Sequence, residues 1–317
     1  MKTNRIILGA SILFLSGSLL FTGCRKRETR SAEEPDKETN TISDNANVEG
    51  ISNDINSIGG ELTESGSLTQ YRASGTDMTT GLLSIAPCAT ISGLTTNTIT
   101  VDFGTTGCEG QDKRVRKGKL FFDLSQCNPT TAKYYRNPGF KAIVTSLNYM
   151  VDDNQVTITN KTISNTTPAS VGGQTVYTGT NLTWNVTANI SVTKPNGGGT
   201  FNWQCNRNKE LTNTNDPTCY KGQLLAIDWS KAKIKINGTA NGTNTKGESY
   251  TVVATDLVKD FTCSPSTNSL KRHPFISGKL DYKPGNRPTR YFDYGDGGCD
   301  LNATVVINGV TYAITLP

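Results

Sequence analysis

The side chains in this sequence best suited to chemistry are carboxylates on glycine-rich turns. Phe292-Asp293-Tyr294-Gly295-Asp296-Gly297-Gly298-Cys299-Asp300 brings Asp293, Asp296 and Asp300 close together, and Val101-Asp102-Phe103-Gly104-Thr105-Thr106-Gly107-Cys108-Glu109 is a thinner version with Asp102 and Glu109. Oxygen ligands of this kind suit calcium, although the spacing is not that of an EF-hand loop. A tight turn asks for the same residues, Asp to bond the backbone and Gly to reach positive φ. The turn is the preferred reading, and no metal site is assigned.

His273 is the single histidine, which excludes a His-rich metal centre and a relay between two imidazoles. No Gly-x-Ser-x-Gly elbow accompanies it. No catalytic residue is assigned and no cofactor is expected. The basic run Lys113, Arg114, Arg116, Lys117 and Lys119 could meet phosphate or sulfate groups of a glycan; the plainer reading is a solvated hairpin end. Trp184, Trp203 and Trp229 could stack on sugar rings, but Trp184 and Trp203 keep step with the apolar residues of their strands, which favours the core.

The charges are unevenly divided. Residues 25–70 hold five Lys or Arg against ten Asp or Glu, and residues 71–317 hold 25 against 17. A surplus spread thinly over the second region is not the concentrated stripe that nucleic acid requires, so no nucleic-acid partner is expected.

The cysteines follow the two acidic stretches. Cys88, Ile91-Ser92-Gly93, a strand, Asp-aromatic-Gly and Cys108 recur as Cys263, Ile276-Ser277-Gly278, a strand, Asp-aromatic-Gly and Cys299, with an insertion from Ser264 to Phe275. Equivalent cysteines imply equivalent bridges, Cys88 to Cys108 and Cys263 to Cys299, each contributing about 2 to 4 kcal/mol. Cys205 and Cys219 flank a polar loop containing Asp216-Pro217 and form the natural third pair, which leaves Cys127 as the odd thiol.

The elements that carry these residues begin after an export signal. Lys2 and Arg5 precede an apolar run from Ile6 to Phe21 that is too short to favour a membrane span, then Thr22-Gly23-Cys24. Residues 1–23 read as a signal peptide, and Cys24 resembles the lipidated cysteine of the bacterial lipobox. The acyl chains expected on Cys24 would anchor the protein to a membrane far more firmly than one chain does. The alternative is an ordinary signal peptide with a coincidental cysteine. Arg25-Lys26-Arg27 could touch anionic headgroups or be merely solvated. Residues 24–70 are polar and acidic and read as a flexible tether. Within them Val48, Ile51, Ile55, Ile58 and Leu62 recur at helical spacing, a pattern weakened by Gly50, Gly59 and Gly60, so a short docking helix is the alternative there, as well supported as an unstructured segment.

Residues 71–317 alternate with period two. Ile99, Val101 and Phe103 face one way, as do Leu120, Phe122 and Leu124, and the longest run is Leu182, Trp184, Val186, Ala188, Ile190 and Val192. This is the habit of antiparallel strands with one buried face. Asp152-Asp153-Asn154, Lys194 to Gly199 and Asn308-Gly309 divide neighbouring runs, and Asn-Gly specifies a tight C-terminal hairpin. The pattern predicts ten to thirteen strands in an all-β domain, an antiparallel β-sandwich or a curved antiparallel sheet with an internal two-fold repeat.

Val101-Asp102-Phe103-Gly104, Gly107-Cys108, Arg116-Lys117-Gly118-Lys119, Arg287-Pro288-Thr289-Arg290, Asp293 to Gly297 and Cys299-Asp300 together resemble a group of secreted lipoproteins from Bacteroidota, over most of residues 86–317. The resemblance implies an outer-membrane lipoprotein and supplies no catalytic residues. Cys127, Cys205, Cys219 and the insertion after Cys263 depart from the family pattern. The expectation is a lipid-anchored, non-enzymatic binding module with a glycan or protein partner. The alternatives are a fimbrillin-like subunit exchanging its C-terminal strand and, behind it, a carboxylate-based glycan hydrolase.

Overall fold

The computed structural model describes residues 40–64, 78–80, 86–94, 96–110, 112–127, 134–168, 181–214, 216, 220–221, 226–228, 231–263 and 274–315. All of these belong to one compact unit, Glu38–Pro317. The signal peptide, Cys24, Cys219, Trp229 and His273 lie outside the described residues.

One helix, α1 (Asn40–Glu64), is followed by strands. The first eight are β1 (Met78–Thr80), β2 (Thr90–Ser92), β3 (Thr98–Asp102), β4 (Cys108–Glu109), β5 (Val115–Asp123), β6 (Lys141–Val151), β7 (Asn154–Asn165) and β8 (Leu182–Thr193). Then come β9 (Thr200–Leu211), β10 (Tyr220–Lys221), β11 (Ala226–Ile227), β12 (Lys233–Thr243), β13 (Ser249–Asp260), β14 (Phe275–Pro284), β15 (Arg290–Asp296), β16 (Asn302–Ile307) and β17 (Val310–Thr315).

All but β4, β10 and β11 join in one path of antiparallel pairings, in the order β1-β2-β3-β5-β6-β7-β8-β9-β12-β13-β14-β15-β16-β17; β4 pairs with β5, and β10 with β11. The sheet is curved and does not close, so of the two architectures expected the curved sheet is the one adopted. Chain-order neighbours pair almost throughout because tight turns join them. Asp152 and Asp153 have φ of 51° and 61° between β6 and β7, and Asn308 and Gly309 have 52° and 78° between β16 and β17, as two-residue hairpin turns require.

Alternation in sequence becomes alternation in burial. Leu182, Trp184, Val186, Ile190 and Val192 are buried on one face of β8, and the intervening Thr, Asn and Ser residues lie on the other.

The two copies of the repeated stretch lie on paired strands, β2 with β3 and β14 with β15, but in different registers: Ile91 pairs with Val101, whereas Phe292 pairs with Leu280 and not with Ile276. In each copy the Asp accepts a hydrogen bond from the Gly two residues on, Gly104 N to Asp102 Oδ1 and Gly295 N to Asp293 Oδ1, both 2.9 Å. Gly104 and Gly295 sit at φ of 73° and 86°, which a side chain would strain. Disulfides join Cys88 to Cys108 and Cys263 to Cys299, with Cα separations of 5.6 and 5.5 Å.

Two expectations need correction. Cys205 is not bridged to Cys219: it is a buried thiol on β9. It faces the interior between Ala188 and Ala240, and burial pushes it up to about 11. The tether expected over 24–70 is, over 40–64, a helix with Val48, Ile51, Ile55, Ile58 and Leu62 at 0% exposure. Tertiary packing outweighs the weak propensity of a glycine-containing helix. Gly59 allows the closest approach, since a Cβ there would lie 2.8 Å from Cε1 of Phe122 on β5. Because α1 reaches side chains of β5, β7 and β9, the sheet wraps around it, and the helix covers the apolar face that an open sheet would otherwise expose.

Candidate functional site

The interior is built from opposite charges. α1 carries five acids and no base. The strands facing it carry cations at positions in phase with their apolar residues: Arg116 on β5, Lys161 on β7, Arg207 and Lys209 on β9. Arg116, completely buried, gives Nε to Asp54 Oδ2 at 3.0 Å and Nη2 to Asp112 Oδ2 at 2.6 Å. Burial works against its charge, but Asp54 and Asp112 outweigh that and hold its pKa above the ordinary value. Arg207 gives Nε to Glu49 Oε1 at 3.1 Å and Nη1 to the Gly238 carbonyl at 2.7 Å. Asp44 accepts from Thr245 N at 3.1 Å and pairs with Lys194, which fixes the N-terminal end of α1 against two hairpin tips.

Two interior lysines have weaker partners. Lys161 is completely buried and gives Nζ to Ser52 Oγ at 2.7 Å, and burial lowers its pKa to about 8. Lys209 gives Nζ to Asn53 Oδ1 at 2.8 Å; burial, then the nearby charges of Lys161 and Lys259, lower it to about 7.

A cavity of about 440 Å³ opens along the side of α1 that the sheet leaves uncovered. Ala46, Gly50 and Ser57 form an exposed stripe of the helix along it. The opposite wall is apolar: Ile234 and Ile236 from β12, Leu280 and Tyr282 from β14, Phe292 and Tyr294 from β15. Charged groups also line it, Glu49, Asp54, Asp112, Arg114, Lys209 and Lys259, together with Asn53 and Asn56 on α1. A largely apolar concavity of this size with a few polar groups has the form of a small-molecule site.

The residues singled out from sequence are dispersed. Trp184 and Trp203 are core residues, giving their Nε1 to the Tyr135 carbonyl at 2.9 Å and to Asn45 Oδ1 at 3.1 Å. The basic run is divided: Arg114 and Arg116 are buried, and Arg114 bonds Asp152 at 2.9 Å. Lys113, Lys117 and Lys119 pair with Glu109, Asp153 and Asp102.

Asp293, Asp296 and Asp300 line a shallow pocket of about 460 Å³ near β16 and β17, separate from the cavity beside α1. Asp300 Oδ1 accepts from Asn302 N at 2.8 Å, a turn contact like that of Asp293. Among the described residues no group of three or more His, Cys, Asp and Glu is gathered to hold a metal.

Cys127 Sγ donates to the Lys141 carbonyl at 2.8 Å. Sequence reasoning missed the cavity and its Gly50, Asn53, Asn56 and Lys209. The available signal was a strand, Phe201 to Leu211, whose inward positions mix Trp203 and Leu211 with Arg207 and Lys209.

No protein-family model matches the chain, and neither a curated protein nor a solved structure is significantly similar to it.

Proposed function

We propose that the protein is a lipoprotein, anchored to the outer membrane through acylated Cys24, whose β domain is a non-enzymatic binding module for a small, largely apolar molecule. The observation that carries the binding reading is the 440 Å³ cavity enclosed by α1 on one side and the aromatic and aliphatic wall of β12, β14 and β15 on the other. A non-catalytic role is favoured by the state of the acids near it. Glu49 is bound by Arg207 and Asp54 by Arg116, so neither carboxylate is placed to give or take a proton. The anchor rests on the lipobox-like Thr22-Gly23-Cys24.

The environment-sensitive dye 1-N-phenylnaphthylamine tests the binding half. Its emission should rise and shift to the blue with saturable, one-site behaviour on the folded protein, and a flat titration would refute the reading. The anchor half predicts incorporation of an alkynyl palmitate label that is lost in Cys24→Ser.

A fimbrillin-like structural subunit is the second reading, supported by β17. It is the terminal strand of the sheet, and Val310 and Tyr312 are 51% and 47% exposed on it, as a strand available for pairing with another chain would be. Filaments in electron micrographs would favour it.

A further inference from the structure

We propose that the cavity beside α1 takes a single-chain amphiphile with an anionic head, its chain along the apolar wall and its head beside Lys209 and Asn56. The inference rests on the binding reading above and adds the chemistry of the ligand.

The first observation is Gly50. Glycine is a poor residue for a helix interior, and at Gly59 the close approach of Phe122 explains it. At Gly50 no neighbour does: a Cβ there would meet nothing within 4 Å. Gly50 lines the cavity on the exposed stripe of α1, across from the apolar wall, and a volume of about 440 Å³ is that of a site for one small ligand.

The second is Asn56, which lines the same cavity. It is 6% exposed, and among the described residues neither its Nδ2 nor its Oδ1 has a hydrogen-bond partner. A buried amide left unsatisfied is costly and is satisfied when a polar ligand group arrives.

The third is charge. Asn53, one turn before Asn56, holds Lys209 Nζ at the cavity. The charged and titratable groups around that ammonium are Lys161 on β7, Cys205 on β9, Lys259 on β13 and Glu49 on α1. Glu49 is already paired with Arg207, and Cys205 is held as the neutral thiol by burial. The surroundings are therefore short of negative charge, and a carboxylate or phosphate head would supply it.

Calorimetric titration of the full chain carrying Cys24→Ser, with decanoate and with 1-decanol, separates head from chain. Decanoate should bind more tightly than 1-decanol by roughly tenfold, the worth of one charge-assisted hydrogen bond. Lys209→Met should abolish the preference and leave 1-decanol binding intact. Gly50→Leu should fill the cavity and lose both ligands while its unfolding midpoint stays the same or rises. Equal affinity for the two ligands, or a preference that survives Lys209→Met, overturns the assignment of the head while the cavity reading stands. Undiminished binding by Gly50→Leu places the chain elsewhere and overturns the assignment of the chain. Failure of both ligands to bind the unsubstituted cavity removes the binding reading itself.

Discussion

Two interior cations show how differently a buried charge can be accommodated. Arg116 is held by two carboxylates, Asp54 and Asp112, whereas Lys161, among the described residues, meets only the hydroxyl of Ser52. Removing one member of a buried ion pair strands the other, so Arg116→Met should cost about 3 to 5 kcal/mol in urea denaturation. Lys161→Met strands no charge and should be neutral or stabilising near pH 6.5. The lysine also has a pH signature. Its pKa falls from 10.5 unfolded to about 8 folded. Below that the native state carries the full penalty of a buried ammonium. Above it the native state has shed a proton that the unfolded chain keeps, so stability rises with pH. Lys209, lowered to about 7, adds to the same rise. Cys205 acts in the opposite sense only above 9, its ordinary value, where the unfolded chain loses a thiol proton that the native state retains. Stability should therefore climb from pH 7 to 8.5, and Lys161→Met should climb less. A flat profile for the parent protein would show that Lys161 is not buried as a lysine.

At the scale of the element, α1 makes a paired prediction, because its glycines differ in surroundings and not in backbone. Gly50→Ala should stabilise by about 0.5 to 1 kcal/mol, the propensity gain without any contact to disturb. Gly59→Ala puts a methyl 2.8 Å from the Phe122 ring and should destabilise by about 1 to 3 kcal/mol, the cost of overpacking. Thermal unfolding of the two variants side by side checks the opposite signs. The same helix marks how far the sequence could be read. Strands were legible because period two survives wherever one face is buried, and the repeat led to both observed disulfides because in each copy the Asp-Gly turn runs on into a cysteine, although the strands around the copies pair in different registers. Asp293 and Asp102 were legible as turn residues for the same local reason. α1 was half legible: the spacing of Val48, Ile51, Ile55, Ile58 and Leu62 was visible, but Gly50 and Gly59 argued against a helix whose stability comes from the sheet around it. Cys205 misled because pairing by proximity in sequence ignored its inward position on β9. The cavity was not legible at all, since Ile234, Leu280 and Phe292 meet α1 only after the sheet curves.

At the scale of the whole molecule, the uneven charge of the chain becomes its organising feature. The acids of residues 40–64 and the inward cations of the strands form one interior, so the helix is a structural part of the β domain. A sheet of this breadth without it would expose the apolar faces of Trp203, Phe122 and Ile163 and leave Arg116 and Arg207 without their carboxylates on α1. The fragment 71–317 should therefore lack a cooperative thermal transition when refolded with its disulfides intact. A synthetic peptide of residues 40–64 added in excess should restore the transition, at a midpoint that rises with peptide concentration as mass action requires. The same peptide with Glu49→Gln and Asp54→Asn keeps the apolar stripe and removes two of the buried partners, so it should restore the transition poorly. If the fragment melts cooperatively alone at the midpoint of the intact chain, the helix is an accessory that the sheet does not need. If the substituted peptide works as well as the native one, apolar burial and not charge holds the helix in place.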